Sequence, residues 1–309
     1  MPTTIPSITS STRPGSPSAG DAYFETDTQN YIISNGSNWY VYNYDDTTAF
    51  SNTLSLSFDG SNDSLTTNYS PTASSAFSVS MWTKSSNTTQ SMAYFSNGTL
   101  AGLPGGFQLL SPSTTKNFYV LVSNGSSNYT NAAFGATAGS LDIRDGEWHH
   151  LALTINGTAI KLYLDGGDAA INTSSPTNTP SSPYATATSS VNYTGNTGNV
   201  YHFGRNGAYS SYWYSGLQDE IAFFKTELSG ANISAIYNSG VPNDVGANGL
   251  NLSPDAYFRC GDGLSDINSS GGTPSNADSV GTVTSIVNSY TATQSTAAYK
   301  PTYSNDVPS

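Results

Sequence analysis

Along much of the chain, apolar and polar residues alternate in short runs. Residues 54–58, 77–82, 118–122, 151–155 and 160–164 are rich in Val, Ile, Leu, Tyr, Phe and Thr, and several repeat with period two. That is the pattern of strands with one face in a core. Asn-Gly, Asp-Gly and Ser-Asn pairs break the runs. Asn156-Gly157, between the last two, predicts a tight hairpin with both central residues at positive φ. One segment has helical spacing: over residues 229–238, Ile233, Ile236 and Tyr237 share a face and Gly240 offers a C-cap. The pattern predicts an all-β antiparallel sandwich with one short helix.

Composition divides the chain into three zones. Residues 1–50 hold a Ser/Thr/Pro arm and a compact aromatic segment, a small β module. Residues 51–240 carry the regular strands. Residues 241–309, rich in Gly, Ser and Asn, read as a C-terminal extension partly packed on the sandwich and ending in an extended tail. Residues 172–196 are dominated by Ser, Thr, Asn and Pro and read as a long surface loop.

Charge narrows the function classes. Of 309 residues only 10% are charged, and 9 Lys and Arg against 21 Asp and Glu leave a formal net charge of −12. Nothing here would neutralise phosphates in quantity, so neither nucleic acid nor an anionic membrane is an expected partner. Aromatic residues make up 12%, enough to fill a core. Cys260 is the lone cysteine, which excludes an intrachain disulfide framework. The N-terminal residues lack an apolar stretch after a basic region, and no run of 18 apolar residues occurs. The expectation is a chain folded in a reducing cytoplasm.

Four segments, in order, resemble a laminin-G-like, concanavalin A-like jelly roll. They are LSFDGSND at 56–63, FSVSMW at 77–82, GEWHHLALT at 146–154 with KLYLDG at 161–166, and YSGLQDEIAF at 214–223 with the short helix after it. A second stretch, RPGSPSAGDAYFETDT at 13–28 ending in GSNWYV at 36–41, is similar to a module of tailed-bacteriophage virion proteins. There Gly20 would make the turn, Tyr23 and Phe24 would be strand residues, and Trp39 would be the packing anchor. DAYFRCGD at 255–262 and YSNDVP at 303–308 resemble the ends of laminin-G-bearing structural proteins of marine phages.

Candidate chemistry is sparse. A retaining glycosidase needs two carboxylates about 5–5.5 Å apart, but Glu25, Glu147, Glu220 and Glu227 form no such pattern, and strand alternation puts Asp219 and Glu220 on opposite faces. The same alternation separates His149 from His150, and His202 lies in another strand, so packing roles are expected for all three. The chain reads as no enzyme, with no cofactor required. Asp59 and Asp63, with Asp219 in the closing strand, are the candidate ligands of a structural calcium ion, as the resemblance implies, although Asp59–Asp63 equally reads as a capped turn. Arg205 and Asn206 precede Tyr209, Tyr212, Trp213 and Tyr214, a cluster that reads first as a subunit contact and second as a sugar platform.

The resemblances imply a virion structural protein displayed on the particle surface as a capsid decoration, tail or fibre component. Its partners would be other virion proteins and further copies of itself, with a trimer expected. The terminal segments 1–12 and 297–309 would add strands to neighbours. The alternative is an adhesin that grips host surface polysaccharide through the loop at 205–214.

Overall fold

The computed structural model describes residues 6–25, 30–43, 50–70, 74–97, 104–114, 116–124, 129–134, 142–167, 173–174, 180–182, 186–188, 200–207, 212–246 and 249–309. The chain divides into two compact units, Met1–Ala49 and Phe50–Ser309.

In the first unit a four-stranded sheet runs in the order Ser7–Ile8, Ala19–Glu25, Asn30–Asn35, Trp39–Asn43. The Tyr23 ring meets Trp39 edge-on at 5.6 Å, and the Trp39 indole N–H donates to the Pro14 carbonyl at 3.1 Å. Arg13 closes on the buried Glu25 carboxylate through two N–H groups. Gly20 does not make the turn between strands. It sits inside Ala19–Glu25 at φ +90°, where the register shifts between Ala19 and Ala22 as in a bulge. Within the arm, Ser7 and Ile8 pair in parallel with Phe24 and Glu25 of their own chain.

The second unit is a sandwich. One sheet, of eight strands, runs Thr186–Thr188, Ala159–Leu164, Trp148–Asn156, Ala76–Lys84, Ser215–Phe224, Ser55–Asp59, Thr302–Ser304, with Ala256–Phe258 also paired to Ser215–Phe224. The other, of eleven, runs Pro180–Ser182, Thr173–Ser174, Tyr129–Phe134, Phe118–Asn124, Pro104–Ser111, Met92–Ser96, His202–Phe203, Leu65–Thr67, Thr291–Thr293, Val280–Thr284, Ile267–Asn268. Their facing sides interlock through aromatic rings: Phe77 of the first sheet lies edge-on to Phe107 of the second at 5.7 Å and stacks on Tyr201 at 5.8 Å. Each such ring, fully buried, contributes about 1.5–3 kcal/mol relative to exposure.

The helix forms as the sequence spacing predicts, Gly230–Tyr237, with Ser229 as N-cap accepting from the Asn232 N–H. Ile233 and Ile236 are buried, and Tyr237 stacks on Trp82 at 5.7 Å, so the helix covers the far side of the eight-stranded sheet. The C-cap is Asn238 in the left-handed region, not Gly240, because the short amide side chain tolerates that conformation two residues earlier. The 156–159 hairpin is as tight as expected but centred one residue later. Asn156 pairs with Ala159, and of the central residues Gly157 and Thr158 only Gly157 has positive φ, the II′ pattern.

Within 172–196, expected as a loop, the described residues include three short strands that extend both sheets at their edges. Residues beyond 241 supply strands to both sheets as well. Thr302–Ser304 pairs with Ser55–Ser57 of the same chain, and Asp306 accepts from Lys84 Nζ and Trp148 Nε1, each at 2.8 Å. The terminal segment therefore completes a sheet of its own chain. Among the described residues, no helix is long and apolar enough to cross a membrane.

Candidate functional site

Strand alternation gives the eleven-stranded sheet two unlike faces. Phe107, Leu109, Phe118, Val120 and Val122 point into the core, so Gln108, Leu110, Tyr119 and Leu121 point the other way. Register places Thr66, His202, Ser96, Gln108 and Leu121 in one row across five strands on that second face. Ala93, Leu110 and Tyr119 form the neighbouring row. At about 4.8 Å between strands the first row is about 19 Å long, and the two rows lie about 7 Å apart.

The segment after His202–Phe203 crosses this face. Gly204, at φ +77°, starts the turn; a Cβ there would lie 2.3 Å from the Phe58 ring and 2.9 Å from the Asp63 carbonyl. Ser96 Oγ then donates to the Arg205 carbonyl at 3.2 Å and accepts from the Gly207 N–H at 2.5 Å. Asn206 Nδ2 donates to Gln108 Oε1 at 3.1 Å, a buried amide pair. The Ala93 N–H donates to the Tyr212 carbonyl at 3.3 Å, and the Tyr212 ring packs with Tyr119 on Ala93, Leu110 and Leu121. The result is a ledge of aromatic and amide groups held by its own hydrogen bonds.

Six residues were expected to act together here, and the structure separates them. Tyr214 is fully buried: its ring lies against Tyr94 at 5.4 Å and Phe58 at 6.1 Å, and its hydroxyl donates to the Lys84 and Leu217 carbonyls at 3.0 and 3.1 Å. It anchors the ledge from below and is no surface platform, because a Tyr with its hydroxyl satisfied indoors is a core residue. Asn206 is buried by its pairing with Gln108 and acts as a brace. Arg205, Tyr212 and Trp213 stay half-buried at the surface, and Tyr209 lies outside the described residues. Thr66, His202, Ser96, Gln108 and Tyr119 complete the face. Alternation in 107–111 and 118–122 marks Gln108 and Tyr119 as opposite to the core, but the pairing of His202 with Thr66 across 136 positions leaves no local signal.

His202 is neutral here, since burial and the Arg205 charge push its pKa down to about 4. Arg205 Nη2 approaches His202 Nδ1 at 3.3 Å, and a guanidinium only donates, so Nδ1 accepts and the proton is on Nε2.

The three expected calcium ligands do not converge. Asp59 pairs with Ser215, four residues from Asp219 along the same strand, which is about 13 Å. Asp59 Oδ1 accepts from the Ser61, Asn62 and Asp63 N–H groups at 2.8–3.4 Å and Asp63 Oδ2 accepts from the Asp59 N–H at 3.0 Å, a self-capped turn. Among the described residues no three His, Cys, Asp or Glu side chains gather to hold a metal.

The remaining acids and histidines serve packing. Asp219 and Glu220 are buried at a bulge where Glu220 takes φ +47°. Asp219 accepts from Asn52 Nδ2 at 2.9 Å, while Glu220 accepts from the Tyr257 hydroxyl and from Arg259 Nε at 3.2 Å. His150 is buried with Nε2 on Ser80 Oγ at 2.8 Å, under Trp82 and Tyr237. His149 faces the other way, held by Asp165 at 2.9 Å and Asp145 at 3.2 Å.

Residues 59–234 match the model of the concanavalin A-like lectin/glucanases superfamily. Comparison with curated protein sequences returned no match. Among solved structures, a proposed carbohydrate-binding protein from Bacteroides ovatus aligns over 94% of this chain and 71% of its own, at 12% identity and a TM-score of 0.52. The heptameric SAP-like pentraxin of Limulus polyphemus aligns over 61% and 84%, at 14% identity and 0.42. The CBM40 of the Ruminococcus gnavus IT-sialidase, bound to alpha2,6 sialyllactose, aligns over 54% and 84%, at 13% identity and 0.37. At these identities the likeness is one of fold.

Proposed function

The chain belongs to the concanavalin A-like lectin/glucanase superfamily, and from that premise we propose that its sandwich is a non-catalytic glycan-binding domain displayed on a tailed-bacteriophage particle. The observation that carries the binding reading is the ledge on the eleven-stranded sheet. Tyr119, Tyr212 and Trp213 offer half-buried aromatic surface, and Arg205 and His202 offer N–H donors beside it. Apolar ring surface with a few fixed polar groups is what a sugar needs for affinity and orientation. Because the amide brace and the Ser96 bonds hold the ledge in place, binding would cost little ordering of the protein.

The non-catalytic part rests on the acids. Asp219 and Glu220 are sealed in the interior, and the Asp59 and Asp63 carboxylates are engaged by backbone N–H groups of their own turn. A structural calcium ion at the Asp59–Asp63 turn remains part of the proposal only as an occupant whose further ligands would be solvent.

The virion part rests on the sequence resemblance of residues 13–41 and on the folding of Met1–Ala49 as a compact unit of its own, suited to attachment while the sandwich is displayed. Homo-oligomerisation, as a trimer, belongs to the same reading. So does folding in the host cytoplasm before assembly.

Two measurements test it. Glycan-array binding by the intact chain should be saturable and should fall at least about tenfold in Tyr212→Ala and in Trp213→Ala, in keeping with the loss of a stacking platform. Wild-type binding that both variants retain would remove the ledge from the proposal. Mass spectrometry of purified particles should find the protein at a fixed copy number, and its absence from clean virions would overturn the virion role.

A further inference from the structure

The chain has nine Lys and Arg, and seven of them sit against a carboxylate: Arg13, Lys84, Lys116, Arg144, Lys161, Lys225 and Arg259. Among the described residues the two cations without one are Arg205 and Lys300. In a chain with 21 acids and a net charge of −12, an arginine left unpaired is unusual on numbers alone. The two residues also differ in kind. An ammonium on a flexible stem is well served by water, whereas the planar guanidinium suits bidentate pairing with a carboxylate.

Arg205 is moreover partly desolvated. It is half-buried, and its Nε is enclosed with no hydrogen-bond acceptor among the described residues. Its Nη2 reaches the neutral His202 ring, and among the described residues no formal negative charge offsets the burial. Its backbone is fixed by Ser96 and by the Asn206–Gln108 brace on the next residue, so the guanidinium is held at the ledge and not swept through solvent. A fixed, half-desolvated, uncompensated cation beside aromatic surface is the arrangement that an anionic ligand completes.

We infer that the ledge is selective for carboxylate-bearing sugars, with the Arg205 guanidinium as the group that receives the carboxylate. This rests on the glycan-binding reading and goes beyond it by naming the substrate class. The His202 Nε2–H is a neutral donor next to the same position, able to support a carboxylate or hydroxyl without adding charge. The acidity of the rest of the protein gives the selectivity a second edge: away from Arg205, an acidic polysaccharide meets a surface of its own sign.

The test uses the intact chain and two probes that differ only in charge, tri-galacturonic acid and its methyl ester, titrated calorimetrically at neutral pH. Wild type should bind the acid at least about tenfold more tightly than the ester, as a charge-assisted hydrogen-bond pair would give. In Arg205→Gln that preference should vanish, with an unchanged circular dichroism spectrum and melting point certifying the fold. Arg205→Lys should recover part of the preference through charge without the fork. Equal binding of acid and ester by wild type, or a preference that survives in Arg205→Gln, overturns the inference and leaves glycan binding standing. If neither probe binds and a panel of neutral and acidic glycans also fails, both this inference and the glycan-binding reading fall.

Discussion

Glu220 and Arg259 form an ion pair inside the second unit, with Arg259 Nε donating to Glu220 Oε1 at 3.2 Å and the Tyr257 hydroxyl donating to the other carboxylate oxygen. Asp219, next before it in the chain, is equally buried but has only neutral donors among the described residues, Asn52 Nδ2 and the Glu220 N–H. With two carboxyls this close and this dry, one takes the proton. Burial raises both: Glu220 goes up to about 7 although the Arg259 charge and the Tyr257 hydroxyl pull it down, and Asp219, pushed by burial and by the Glu220 charge, rises well above the usual range and holds its proton the longer.

Substitutions at these two neighbours are therefore expected to behave differently. Glu220→Gln leaves a buried guanidinium without its partner and should cost about 3 kcal/mol. Asp219→Asn replaces a group that is already neutral and should be close to silent near pH 4. Because the folded-state pKa of Asp219 is raised, its contribution is full below the unfolded value of about 3.9 and is lost as pH rises. Wild type should thus lose ground to Asp219→Asn between pH 5 and pH 8. Melting temperatures of both proteins at the two pH values check this, and parallel curves would refute the assignment of the proton.

Adjacent histidines should titrate on opposite sides of the ordinary value. Burial opposes charge on His149, but the hydrogen bonds and charges of Asp165 and Asp145 outweigh it and raise its pKa above 6.5. His150 is wholly buried, and desolvation pushes its pKa down to about 4. His149 therefore stabilises the fold below about pH 6.5, an effect lost as pH rises through its raised pKa. His150 stabilises above 6.5, an effect lost as pH falls toward 4. Imidazole resonances followed by NMR from pH 4 to 8 should show two separated transitions, with His149 the later to lose its proton.

Gly204 is required by both its torsion and its neighbours. Gly204→Ala would place a methyl group within 2.3 Å of Phe58 at φ +77°, and the expected cost is more than about 2 kcal/mol. Because Gly204 begins the ledge and its carbonyl accepts from the Tyr214 N–H at 2.8 Å, glycan affinity should fall along with stability. Urea titration and a binding isotherm on the same preparation would show whether the two losses go together.

Tyr303 is 1% exposed, and its hydroxyl donates to the Ile267 carbonyl at 3.1 Å. Tyr303→Ala should destabilise by about 3–5 kcal/mol through the cavity it leaves. Since the terminal strand pairs within its own chain, the midpoint of unfolding should not depend on protein concentration through this segment. Equilibrium denaturation at two concentrations a hundredfold apart tests that, and a shift restricted to wild type would indicate a shared strand.

Alternation and turn chemistry are local, so the strands at 77–82, 118–122 and 151–155, the helix with buried Ile233 and Ile236, and the sandwich class were legible from the residues alone. The aromatic cluster at 212–214 was legible as a cluster but not as a set of roles. Tyr212 packs on the outer face of a sheet and Tyr214, two residues on, lies in the core, according to what the rest of the chain packs beneath them. Tyr214 went inside because Thr83, Lys84 and Leu217 offer its hydroxyl partners there, groups up to 131 positions away. The same holds for Asp59 and Asp219, whose separation follows from a strand register that no spacing encodes. The isolation of Arg205 from every described carboxylate depends on where seven other cations found theirs. Sequence determined which segments bury a face, through periodicity and torsional preference. Tertiary structure decided which side chains meet, because long-range register and the pairing of charges are properties of the packed whole.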